Sequence, residues 1–194
     1  MSELIRYRPL GKRAEETASL GLLVFLASWT MLFAAALFAY GALRLSLPRW
    51  PPAGVAPASA GLPALGILPL LAASAAMRIG VWRIERGRPL ELSAALILAL
   101  LFGLLFLGLQ VVFWHRLELA GIGLRDAYGA SLYEVTVLEA IHVAVGVGAF
   151  GVLLSRSFDG RYSAPRHLPV KLWALYWDFL AAMWLVIVAL VFLV

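Results

Sequence analysis

Residues 131–155 read SLYEVTVLEAIHVAVGVGAFGVLLS, an apolar run broken in its first half by Glu134, Glu139 and His142. The run exceeds the roughly 20 helical residues needed to cross a ~30 Å hydrocarbon core, so it reads as a membrane span. Glu139 and His142 are three residues apart and share one face of that helix. Glu134 falls at the outer interface, where a carboxylate needs no special role. Four further runs have the same character, at about 19–44, 62–82, 90–114 and 169–194. Pro69 interrupts the second, which membrane helices tolerate when neighbours satisfy the freed carbonyl. Between the first two, PRWPPAGVAPASAGLP (48–63) reads as a Pro/Gly/Ala connector. The sequence therefore predicts an all-α membrane protein. A polar N-terminal segment, 1–18, precedes a single five-helix membrane domain over 19–194.

Composition agrees. Of 194 residues, 63% are hydrophobic and 14% charged, with mean hydropathy +0.91. Soluble domains run nearer half apolar and a quarter charged. The absence of cysteine excludes disulfides, thiolate metal sites and cysteine nucleophiles. The net charge of +5 lies between the apolar runs rather than in one patch, so it reads as loop charge and not as a nucleic-acid surface. No short apolar core with a cleavage site opens the chain, so no removable signal peptide is expected and the first span serves as its own insertion signal.

Lysine and arginine set the orientation. One side carries Arg6, Arg8, Lys12 and Arg13, then Arg78, Arg83, Arg86 and Arg88, then Arg156, Arg161, Arg166 and Lys171. The other carries Arg44, Arg49, Arg116 and Arg125. This bias predicts a cytoplasmic N-terminus and, with an odd number of spans, a periplasmic C-terminus.

Charges at membrane depth cost at least ~2.5–3.5 kcal/mol on insertion scales, so each asks for a reason. Glu139 and His142 lie near the middle of the fourth span, Asp178 lies in YWDF of the fifth, and Gln110 lies toward the outer end of the third. The fourth and fifth spans are joined by a short basic loop, so Asp178 is expected to reach His142 across that helix pair. Three readings are open: a hydrogen-bonded cluster that joins helices, a proton relay or antenna, and a metal or haem site. The first is favoured. With only His115, His142 and His167, the chain cannot assemble a multi-histidine centre by itself. The small residues of AVGVGAFG (144–151) suggest close helix packing. Trp50, Trp82, Trp114 and Trp173 fit interfacial belts, whereas Trp29 and Trp184 are deeper and read as packing. Neither an internal repeat nor an inverted pair of broken helices supports a transporter.

Read together, the spans resemble subunit III of the haem–copper oxidases, over roughly 20–194. LGLLVFLASWTMLFAAALFAYGALR (20–44) looks like the family's G-x-W-x-F-(I/L)-x-S-E-x-M-L-F…Y. FLGLQVVFWHRL (106–117) is similar to F-L-x-x-Q-x-x-E-(Y/W). AYGASLYEVTVLEAIHVAVG (127–146) follows Y-G-S-x-F-F-x-x-T-G-x-H-G-x-H-V-x-x-G, and YWDFLAAMWLVIVALVFLV (176–194) follows Y-W-H-F-V-D-x-V-W-L-F-L-F. The departures are specific. Trp29 and Phe113 stand where the family has glutamates, Glu139 and Asp178 where it has histidines, and Ala181 where it has an aspartate. His142 keeps its place. A polar interior with acid and base redistributed is the reading, and a proton-antenna role tied to the acid at position 29 does not carry over. Gln110, Thr136, Tyr176, Trp177 and Trp184 match family positions.

The resemblance implies the five-helix bacterial form of subunit III, a multi-pass protein of the bacterial inner membrane with no redox centre on this chain. Haem and copper would sit in partner subunits. Contact with subunit I would be direct, subunit II and small subunits would join the complex, and phospholipid would lie in grooves. Such a subunit supports assembly, stability and proton uptake in a cytochrome c or quinol oxidase. Two other readings stay open: an accessory subunit of a nitric oxide reductase, and an independent ion transporter or membrane scaffold.

Overall fold

A computed structural model describes residues 11–193. Arg6 and Arg8, which count toward the orientation, and Val194 lie outside the described residues. Five helices are long and apolar enough to cross a membrane: α1 (Lys12–Ser46), α2 (Gly61–Glu85), α3 (Pro89–Leu119), α4 (Ala127–Phe158) and α5 (Leu168–Ile187), the last continued by a π-helical end, Val188–Leu193. The helices outrun the apolar windows at most ends, because helical hydrogen bonding continues past the hydrocarbon wherever the flanking residues favour it. α1 begins at Lys12, inside the polar N-terminal segment. α2 takes in Gly61–Pro63, which the composition assigns to the connector. Proline fits there because first-turn N–H groups have no partner within the helix. α2 also runs on through Pro69, which is buried.

Three helices end in one device. Gly87, Gly121 and Gly160 each adopt positive φ, at 73°, 73° and 68°. In each case the following N–H reaches back five residues: Arg88 to Arg83, Ile122 to Leu117, Arg161 to Arg156. This glycine-terminated cap satisfies carbonyls that would otherwise be stranded and turns the chain back on itself. Antiparallel neighbours follow. α2 packs on α3, α3 on α4, α4 on α5, and α5 returns to α2, so the four form a closed ring. α1 sits outside the ring, against α4 and α5.

At the far end of α1 the connector is pinned by aromatics. The Tyr128 hydroxyl accepts from the Ala58 N–H at 2.7 Å, and Trp50 Nε1 donates to the Tyr40 hydroxyl at 3.3 Å. Tyr40 in turn donates to the Val191 carbonyl at 3.0 Å, a carbonyl in the π-helical end.

The small-residue stretch of α4 divides into two uses. A Cβ on Gly146 would lie 2.4 Å from Trp177 Cζ3, and one on Gly103 of α3 would lie 3.0 Å from Trp177 Cη2. The Trp177 indole therefore fills a slot between two glycines on different helices. A Cβ on Gly148 or Gly151 would meet nothing within 4 Å, so these two take no part in packing inside the chain. Gly146→Val should accordingly lower stability in detergent by about 1–3 kcal/mol, the usual cost of overpacking. Gly151→Ala should leave it unchanged or raise it slightly through helix propensity. Thermal unfolding followed by tryptophan fluorescence measures both, and equal effects would refute the slot.

Candidate functional site: the polar interior of the helix ring

The polar side chains at membrane depth fall in separate neighbourhoods of the helix ring. Asp178 projects from α5 toward α2, where it accepts from the Ser74 hydroxyl and from the Arg78 guanidinium. Arg78 lies within the apolar 62–82 run, and that placement is the signal in the sequence for an intramembrane ion pair. Further along the same helix pair, Lys171 Nζ is 2.6 Å and His167 Nε2 is 3.4 Å from Glu85 Oε1. Toward the other end, Trp184 Nε1 donates to the Pro63 carbonyl at 3.0 Å. Gly66 makes room for that indole, since a Cβ there would lie 3.1 Å from Trp184 Nε1. α2 and α5 are thus clasped at three levels.

Glu139 and His142 face a different neighbourhood. Glu139 is fully buried, and neither carboxyl oxygen has a hydrogen-bond partner among the described residues. His142 is buried too. Its Nδ1 contacts the Leu138 carbonyl of its own helix, while Nε2 has no partner among the described residues. The imidazole lies edge to face against Trp29 and 5.2 Å from the Phe33 ring, both on α1. The Tyr176 hydroxyl of α5 donates to the His142 carbonyl at 2.9 Å. The structure therefore brings His142 and Tyr176 together, whereas the hydrogen bonds of Asp178 run to α2 rather than to His142. Trp29, which stands where the resemblance expects an acid, forms one wall of the His142 pocket.

The remaining family-matched residues line the α3–α4 seam and its surroundings. Ser93 and Ser157 hydroxyls meet at 2.9 Å, and Trp114 Nε1 donates to Thr136 Oγ1 at 3.0 Å. This antiparallel register sets Gln110 level with Glu139 and Ala140. Gln110 is buried, with its Oε1 unpartnered among the described residues. Thr136 donates back to the Leu132 carbonyl at 2.8 Å, so its hydroxyl uses both donor and acceptor capacity. Trp177 packs on Phe150 at 4.5 Å between ring centroids.

Chemically, this interior offers an ion pair and a buried carboxylic side chain. Among the described residues, no group of three or more His, Asp or Glu side chains gathers to hold a metal ion. The pair lies at the outer side of the α2–α5 seam, with the Arg78 side chain 63% and that of Asp178 23% exposed on the protein surface. A double-mutant cycle of Arg78→Gln and Asp178→Asn, read as detergent unfolding, should give a coupling of about 0.6–2 kcal/mol, the range of polar contacts between membrane helices. No measurable coupling would mean that the pair does not join α2 to α5.

Comparison with known proteins matches this sequence to one family. The model of the family described as "Cytochrome c oxidase subunit III" matches residues 11–194. The chain is 29% identical to a cytochrome c oxidase subunit 3 from Thermostichus vulcanus over 176 residues, covering 90% of this chain and 86% of the relative. It is 29% identical to the same subunit from a Synechocystis strain over 175 residues, covering 89% and 74%. A probable cytochrome c oxidase subunit 3 from Mycobacterium leprae is 28% identical over 178 residues, covering 91% and 87%. With the match spanning all five helices and the polar interior they enclose, the chain belongs to the cytochrome c oxidase subunit III family.

Proposed function

We propose that this chain is subunit III of a bacterial respiratory haem–copper terminal oxidase, seated in the inner membrane with its N-terminus cytoplasmic and its C-terminus periplasmic. The match of the family model across residues 11–194 supports the subunit III assignment, and the excess of lysine and arginine on one side of the spans supports the orientation. Oxygen reduction would take place at the haem and copper of partner subunits. This chain would supply a rigid neighbour to subunit I, hold phospholipid in its grooves and sustain assembly. It supplies no redox chemistry itself.

Within that role, His142 and Asp178 act as fixing points, while Glu139 lies buried one turn from His142 without a partner among the described residues. Asp178 ties α5 to α2, and His142 supports α1 through Trp29 while its carbonyl receives Tyr176. The arrangement suits a subunit that must keep its shape against a partner, because polar contacts between membrane helices contribute about 0.6–2 kcal/mol each.

Purification of the tagged chain in mild detergent, followed by a reduced-minus-oxidised spectrum and mass spectrometry of partners, tests the assignment. Haem together with a copper-bearing subunit is the expected result. Haem without copper subunits would point to a nitric oxide reductase accessory protein, and a colourless, solitary chain would overturn the assignment. His142→Ala removes the ring that supports Trp29, so co-purification with the haem subunit should fall severalfold in stronger detergent. Unchanged retention and turnover would remove His142 from this role.

A further inference from the structure

A groove of about 660 Å³ runs between α1 and α4 near the start of α4, outside the polar interior of the ring. We infer that it is a docking site for a second copy of this chain, whose α3 enters the groove and sets Arg116 against Glu134.

Exposed apolar side chains are ordinary on a membrane helix, and a single interfacial charge asks for little. A groove that holds one charge, with the opposite charge free at the same depth elsewhere on the molecule, is a fit. Among the described residues that line the groove only Glu134 is charged, and its exposed carboxylate has no hydrogen bond or ion pair with any of them. Arg125, next to the lining residue Leu124, makes no ion pair with it. Arg116, in the last turn of α3, is exposed and equally without a partner among the described residues. Trp114 of α3 bonds Thr136 of α4, and the two helices are antiparallel. Arg116, two residues further toward that end, is therefore level with Glu134, and Val112 is level with Leu138. Copies oriented by the same lysine and arginine bias share one depth scale, so one copy's Arg116 meets another's Glu134 without either helix shifting along the membrane normal.

Shape agrees with charge. Ala35 and Ala36 of α1 and Ala130 of α4 line the groove with small side chains, and Leu32 and Ile141 add apolar surface. On α3, Gly108, Val112, Arg116 and Leu119 form one exposed stripe. A Cβ on Gly108 would meet nothing within 4 Å, so this glycine serves no packing inside the chain. Glycine on one helix and alanines on its neighbours let backbones approach closely, which is how membrane helices associate in the absence of a hydrophobic drive. A phospholipid suits the groove less well, because its phosphate would face the Glu134 carboxylate. The two faces differ, so the contact is head-to-tail, and each added copy presents a further groove until the series closes. This goes beyond the role proposed above, since it ties together copies that each keep their own partners.

The chain has no cysteine, so single introduced cysteines report the contact directly. Two differently tagged full-length copies, one with Val112→Cys and one with Val137→Cys, are co-expressed with whatever subunits accompany them and oxidised in the native membrane. A disulfide-linked heterodimer is the expected result, and neither variant alone should give a product. Leu65→Cys, exposed on α2, should give none with Val112→Cys. Arg116→Glu in both copies, or Glu134→Arg in both copies, should lower the heterodimer yield at least about threefold, the factor set by the weaker polar contacts between membrane helices. The two exchanges together should restore it, which a variant that merely misfolds would not do. Absence of the heterodimer, an equal yield with Leu65→Cys, or a double exchange that stays low would overturn the proposal. So would a product between two Val112→Cys copies, which would mean symmetric pairing of α3. A photo-crosslinker at Val137 that captures only lipid, or only a different polypeptide, would overturn it too. Loss of these crosslinks alongside normal co-purification of haem would leave the family role intact, and crosslinks without haem would overturn that role while upholding the contact.

Discussion

The structure depends on α5 closing the helix ring. Hydrocarbon offers no hydrogen bonds, so each polar group carried into it must be met by protein, and α5 meets groups on both sides of itself. Toward α2 it presents Lys171, Asp178 and Trp184 at three depths. Toward α4 it presents the Tyr176 hydroxyl, and between α3 and α4 it inserts the Trp177 indole. Two adjacent residues therefore bind α5 to the opposite wall while the next, Asp178, faces the other way. The YWDF segment is dense with function because three consecutive side chains divide three neighbours among them.

Much of this architecture was legible in the sequence. Span length and hydropathy are direct consequences of bilayer thickness, so five apolar runs translate into five helices with few alternatives. The pairing of α5 was less legible. A short α4–α5 loop makes those helices neighbours, and from one sequence Asp178 is naturally assigned to His142 on the adjacent helix. The ring closes elsewhere, and Asp178 takes Ser74 and Arg78, about a hundred positions earlier in the chain. Arg78 falls late in its run, where a basic residue reads as loop charge, and only its depth opposite Asp178 distinguishes the two cases. The glycines illustrate the same limit. AVGVGAFG announces close packing, but Gly146 receives an indole while Gly148 and Gly151 face away from the bundle.

The departures from the family pattern take on a physical sense together. With tryptophan at position 29, the space beside His142 is filled by a ring that touches it directly, and Phe33 completes an aromatic surround. Glu139, one turn away, is level with Gln110 on α3 rather than with an acid on α1. The α1 side of the interior is aromatic, and at the α2–α5 clasp an arginine answers the aspartate. The ring is therefore held by an ion pair near its edge and by aromatic packing at its centre.

The seat of α1 carries a consequence for how the molecule comes into being. Ribosomal synthesis delivers α1 first, yet the surfaces it rests on belong to α4 and α5, which leave the ribosome last. Contacts between segments so far apart in sequence form late, since the intervening chain must be placed beforehand. The first helix must therefore wait in the bilayer, mostly bare to lipid, until three more spans have entered and α5 has joined them. The Tyr40–Trp50–Tyr128 clasp sits at the end of α1 nearest the connector, so it can form once α4 arrives and hold α1 in place for the final helix to dock. Anything that stalls insertion before α5 would leave the cell with a four-span species whose earliest helix is tethered at one end and unseated at the other, a natural substrate for membrane proteases.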